Sequence, residues 1–154
     1  MEYRKNDIVT LEIVDCGTDG EGIGKADGFT VFVKDAVIGD TVTAKIMKAK
    51  KNYGYGRLME ILNASPYRVE PVCPSARQCG GCQLQAVSYE EQKVFKEKKL
   101  RGHLERIGGF TNLPMEPLIG MDEPYHYRNK AQFPVGRNKE GKIVTGFYAG
   151  RTHA

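Results

Sequence analysis

The sequence predicts a mainly β protein with one long helix, β or α+β in class, whose first part is a small closed or half-closed barrel. Three observations carry this expectation. Short runs rich in β-branched residues alternate apolar and polar side chains through the first sixty or so positions. Glycine and proline, at 18 and 7 residues, separate those runs with turn signals. A single capping pattern, Ser88-Tyr-Glu-Glu91, opens the one stretch of helical character.

Taken in order, residues 7–15 alternate and read as a half-buried strand. Gly17, Gly20, Gly22 and Gly24 follow and read as a flexible loop. Their G-x-G-x-G character invites comparison with a phosphate cradle, but no helix start follows and Glu21 would repel phosphate, so a turn is preferred. Residues 29–33 form a second short strand run. After a turn signal at 37–40, residues 41–47 alternate again and residues 55–62 close the set. Several short strands with glycine turns in so few residues suggest a barrel. Residues 63–72 hold two prolines and no clear period, which marks the expected boundary between a domain of residues 1–63 and a remainder of residues 64–154. From Ser88 a helix should run to about Ile107, where Gly108 and Gly109 stop it. Leu100, Leu104 and Ile107 are expected on its inner face. Its outer face mixes lysine and arginine with Glu90, Glu91, Glu97 and Glu105 and reads as solvated surface. Beyond it, strand-like pieces at 128–135 and 142–148 flank a turn at 138–141.

Composition narrows the class of partner. Hydrophobic content of 40% and charged content of 27% are ordinary for a globular protein. No apolar run reaches the ~20 residues that a membrane span requires. The start of the chain lacks the apolar core of a signal peptide, so a cytoplasmic protein with reduced thiols is expected. Net charge is only +4, but it is unevenly spread. Residues 11–27 carry Glu12, Asp15, Asp19, Glu21 and Asp27 against Lys25. Residues 45–57 carry Lys45, Lys48, Lys50, Lys51 and Arg57 with no acid, interleaved with Tyr53 and Tyr55. On a small barrel, such cations attract phosphates and such rings offer stacking faces for bases. A solvated hairpin tip is the alternative.

Cys73, Cys79 and Cys82 stand at C-x5-C-x2-C spacing within ten residues. That closeness lets three thiolates converge on one centre, and Gly80 and Gly81 let backbone N–H groups approach it. A disulfide framework is poorly served by three clustered cysteines and a distant Cys16. A structural zinc site or an iron–sulfur cluster both remain open, each one ligand short locally.

The stretch from Cys73-Pro through Cys79-Gly-Gly-Cys82-Gln-Leu-Gln, with Ser-Tyr-Glu-Glu-Gln and a lysine-rich helix after it, resembles the bacterial RNA uracil-C5 methyltransferases that carry an iron–sulfur cluster. Residues 1–63 look like the TRAM domain of that family, an OB-like five-stranded RNA-binding barrel. Residues 125–133 and 146–148 look like the start of its β-rich central domain. The resemblance implies that Cys73, Cys79 and Cys82 are three ligands of a [4Fe-4S] cluster, with the fourth family cysteine lying beyond Ala154. Cys16 becomes a packing residue. The resemblance also implies a structured RNA partner, ribosomal or transfer RNA, contacted by Lys45, Lys48, Lys50, Lys51, Tyr53, Tyr55 and Arg57, with Tyr127, Arg128 and Lys130 from the central domain. The catalytic residues and the domain that binds S-adenosylmethionine have no counterpart here, so no catalytic residue is assigned and the chain is expected to transfer no methyl group alone. A stand-alone TRAM-type RNA-binding module with structural zinc is the competing expectation. The oligomeric state stays open.

Overall fold

A computed structural model describes residues 3–150. Five strands, β1 (Ile8–Cys16), β2 (Gly22–Ala26), β3 (Phe29–Lys34), β4 (Thr41–Ala49) and β5 (Tyr53–Asn63), close into a barrel in the order β1-β2-β3-β5-β4. All neighbouring pairs are antiparallel except β3 with β5, and β4 returns to β1 to complete the closure. The alternation read in the sequence fills the barrel. Val9, Leu11 and Ile13 from β1, Val31 and Val33 from β3, Val42, Ala44 and Ile46 from β4 and Leu58 from β5 are buried together.

The glycine-rich loop requires a correction, because Gly22 and Gly24 lie inside strand β2. Both face the interior where the barrel is narrow. A Cβ on Gly22 would come within 2.8 Å of the Ala36 carbonyl oxygen, and one on Gly24 within 2.8 Å of that of Glu12. A strand whose inward positions must be glycine shows no apolar alternation, which is why it reads as a loop.

After β5 the chain stays attached to the barrel. Asp40 is fully buried and accepts from Val37 N at 2.7 Å, Ser65 N at 2.8 Å and Arg68 Nε at 3.1 Å, while Arg68 Nη2 pairs with its second oxygen at 2.5 Å. The helix α1 (Tyr89–Arg106) begins as its capping signal predicts, with Ser88 Oγ accepting from Glu91 N. Its expected inner face is corrected: Leu100 and Ile107 are exposed, and the side turned toward the barrel carries Gln92, Phe95, Lys99 and Gly102. Polar anchors hold that side, with Lys98 Nζ at 3.3 Å from Asp15 Oδ1 and Lys99 Nζ donating to the Thr18 carbonyl at 3.0 Å. The last strands are shorter than the sequence suggests. They form a two-stranded hairpin, β6 (Val135–Arg137) with β7 (Ile143–Thr145), so residues 128–134 lie outside any strand.

Candidate nucleic-acid interface and cysteine loop

The outward parity of β3 and β5 builds an aromatic face. Parallel pairing sets Phe32 beside Tyr55 and Thr30 beside Tyr53, and the rings meet. Phe32 lies 5.6 Å from Tyr55 and 6.0 Å from Tyr53, and the two tyrosines are 6.0 Å apart, centroid to centroid. Phe32 is a member that the sequence reading misses. The signal was available: it shares its parity on β3 with Thr30 and Lys34, so it is a large aromatic on the solvent-facing side of a strand.

Cations border this cluster in register. Lys34 on β3 sits beside Arg57 on β5, and Arg57 sits opposite Lys45 on β4. Lys48 is opposite Tyr55, and Lys50, in the turn between β4 and β5, donates its backbone N–H to the Tyr53 carbonyl at 2.8 Å. Lys51 is exposed beside it. Among the described residues none of Lys45, Lys48, Lys50, Lys51 or Arg57 is in an ion pair. Like charges directly across a sheet cost stability, so the Lys34, Arg57 and Lys45 row is not an arrangement that folding favours for itself. The first carboxylate further along β5 is Glu60, opposite Thr43.

Tyr127, Arg128 and Lys130 are exposed and lie apart from these strands in the chain. Arg128 Nη2 donates to Tyr127 Oη at 3.3 Å with its guanidinium 5.7 Å from that ring, and this hydrogen bond holds Arg128 above its ordinary pKa, with the Tyr127 and Cys82 charges adding.

The cysteine loop lies against the barrel and against the end of the described chain. Cys73 and Cys82 are exposed and Cys79 is half-buried. The Gly81 N–H donates to Cys79 Sγ at 3.3 Å, an amide placed on sulfur as the glycine pair suggested. Gly80 N donates to the Tyr148 carbonyl and Gly150 N to that of Gln78, both at 3.0 Å. The main chain at Gly150 is thus laid beside the loop. Lys34 Nζ donates to the Arg77 carbonyl at 3.3 Å, which ties the loop to the cationic row. The donor set suits a thiophilic metal or an iron–sulfur cluster. In this arrangement, however, the described residues gather no group of three or more His, Cys, Asp or Glu side chains able to hold a metal ion. Cys16 stands apart at the end of β1, where it lines a cavity together with Val37, Leu84 and Phe95.

A closed five-stranded barrel whose outer face pairs a ring cluster with unpaired cations has the features of the small oligonucleotide-binding barrels. Residues 4–59, which take in β1 to β4 and most of β5, match the TRAM domain family. Over 97% of its length the chain is 49% identical to an uncharacterized RNA methyltransferase of Halalkalibacterium halodurans, covering 32% of that protein. It is 48% identical over 99% of its length to one of Clostridium tetani, covering 33%, and 46% identical over 97% to one of Bacillus cereus, covering 32%. The chain therefore spans about a third of the length of these relatives. Among solved structures, a conserved protein of Methanococcus maripaludis aligns with 37% of this chain and 81% of its own at 28% identity and a TM-score of 0.35. No helix of the described residues is long and apolar enough to cross a membrane.

Proposed function

We propose that this chain is the RNA-engaging portion of an S-adenosylmethionine-dependent RNA uracil-C5 methyltransferase acting on ribosomal or transfer RNA in the cytoplasm. The observation that carries the reading is the cluster of Phe32, Tyr53 and Tyr55 bordered by cations without carboxylate partners. Base stacking on such rings contributes about 1–3 kcal/mol per base with little sequence preference. Phosphate contacts by the lysines add a term that salt weakens. Methyl transfer would fall to parts of a longer protein, and the chain alone would be inactive.

Cys73, Cys79 and Cys82 would hold a [4Fe-4S] cluster together with one thiolate from elsewhere, once the loop draws its sulfurs together. Support comes from the soft donor set, the Gly81 N–H on Cys79 and the nearness of the Gly150 backbone to Gln78. When bound, such a cluster supplies a redox-capable centre that fixes the loop.

The direct test is binding of a structured RNA by Lys48→Ala, Lys50→Ala and Lys51→Ala in combination. Weaker binding and a log–log salt slope shallower by about 2–3 are expected. Affinity and slope equal to those of the unaltered chain would remove this face as the contact.

A further inference from the structure

Helix α1 carries a second cationic feature that the barrel face does not explain. Lys99, His103 and Arg106 follow one another at i, i+4 and i+7 and so share one side of the helix. With Lys98, Asp15 and Thr18 they line a cleft of about 110 Å³ between the β1–β2 turn and the C-terminal half of α1.

The charge balance in that cleft is positive. Asp15 is its carboxylate, and Lys98 occupies it at 3.3 Å. Asp19 and Glu21, the other acids of the turn, line a different cleft with Lys34 and Cys79. Among the described residues no ion pair involves Lys99, His103 or Arg106. Basic residues in a last helical turn complement the helix dipole, which accounts for the presence of His103 and Arg106 there. It does not account for where Arg106 goes. Its side chain folds back along the helix, with Nε 3.4 Å from the Gly102 carbonyl oxygen, and its Nη2 lies 2.5 Å from where a Cβ on Gly102 would stand. The absence of a side chain at position 102 is what lets the guanidinium lie there. Lys99 is likewise positioned, by its bond to the Thr18 carbonyl.

We infer that this cleft seats a phosphate of an RNA backbone, giving the RNA a second contact besides the aromatic face. The cleft is far smaller than the roughly 300–1,000 Å³ of ordinary small-molecule sites, so a single phosphate group suits it and a base does not. RNA is favoured over other polyanions because the same chain presents the stacking face, so the inference rests on the RNA-engaging reading.

The test is RNA binding by the full chain carrying Lys99→Gln with Arg106→Gln, titrated with a fluorescein-labelled structured RNA between about 50 and 200 mM salt. Two further variants accompany it: Lys99→Arg with Arg106→Lys, which keeps both charges, and the triple lysine-to-alanine variant of the barrel turn. Glutamine is a good helix former, so α1 should persist, which circular dichroism checks. The glutamine pair should lower affinity roughly tenfold at the low-salt end and shallow the slope by about 2. The charge-keeping pair should retain both. If the glutamine pair binds like the unaltered chain while the barrel variant binds weakly, the cleft assignment is overturned and the RNA reading stands. If the unaltered chain shows no salt-sensitive RNA binding, both are overturned. Adsorption to phosphatidylserine vesicles that the glutamine pair abolishes, with RNA binding untouched, overturns the RNA assignment in favour of a membrane surface.

Discussion

Phe32 and Cys16 show how one strand position decides what a side chain can do. On β3 the inward parity holds Phe29, Val31 and Val33, so Phe32 is turned out to join Tyr53 and Tyr55. Cys16 ends β1 on the side that α1 covers. Burial pushes its thiol up to about 11, with the Asp15 and Glu21 carboxylates adding to the shift and Lys99 and Lys98 opposing it. At pH 8 only about one Cys16 in a thousand would then be thiolate. In the chelator-treated chain, brief iodoacetamide exposure at that pH should label the exposed Cys73 and Cys82 first and Cys16 last, as read by peptide mass mapping. Equal labelling of Cys16 would mean that α1 does not cover it. The sequence reading of Cys16 as a packing residue leaned on family resemblance, because no property of a lone cysteine distinguishes a covered thiol from a ligand.

The same substitution tested on two elements should give opposite signs. Gly24 faces inward on β2, where a Cβ would meet the Glu12 carbonyl at 2.8 Å and Leu11 Cβ at 3.0 Å. Backbone and a packed core side chain cannot yield cheaply, so Gly24→Ala should destabilise the barrel by about 1–3 kcal/mol. At Gly102 on α1 the nearest atoms to an added Cβ belong to the flexible end of Arg106, so Gly102→Ala should stabilise by up to about 1 kcal/mol through helix propensity. Urea unfolding of both variants checks the pair, and two destabilised proteins would show that Arg106 cannot move aside. These glycines also mark where elements were legible. β1, β3 and β4 announced themselves because large apolar side chains hold most of their inward positions, whereas on β5 Leu58 joins the core and Gly54 is buried beside Phe29. β2 was hidden because its inward positions hold glycine. The helix declared its start through Ser88 but not its packed side, since it meets the barrel through Phe95 and polar anchors and leaves Leu100 in solvent.

At the scale of the whole molecule, Asp40 joins the barrel to the segment that leads into the cysteine loop. It reads in sequence as a turn aspartate, which gives no hint of burial. Four hydrogen bonds satisfy it, and Arg68 extends the tie by donating to the Asp35 carbonyl at 2.8 Å. Burial alone would raise the Asp40 pKa. The bonds from Arg68, Ser65 and Val37, with the Arg68 charge, outweigh that and hold it below its ordinary value. A carboxyl depressed in the folded state contributes stability that is fully present above its unfolded pKa of about 4 and is lost as pH falls through the folded value. Asp40→Asn removes the charge while keeping the shape, and breaking a buried pair in this way should cost about 3 kcal/mol at pH 7. The gap between variant and parent should narrow as pH is lowered below about 4, because the parent then protonates the same group. Urea midpoints at neutral and acid pH measure it directly. A gap of unchanged size in acid would mean that the Asp40 charge does not hold the joint, and the attachment of the cysteine loop to the barrel would rest on contacts such as Lys34 with the Arg77 carbonyl and Arg77 with the Leu58 carbonyl instead.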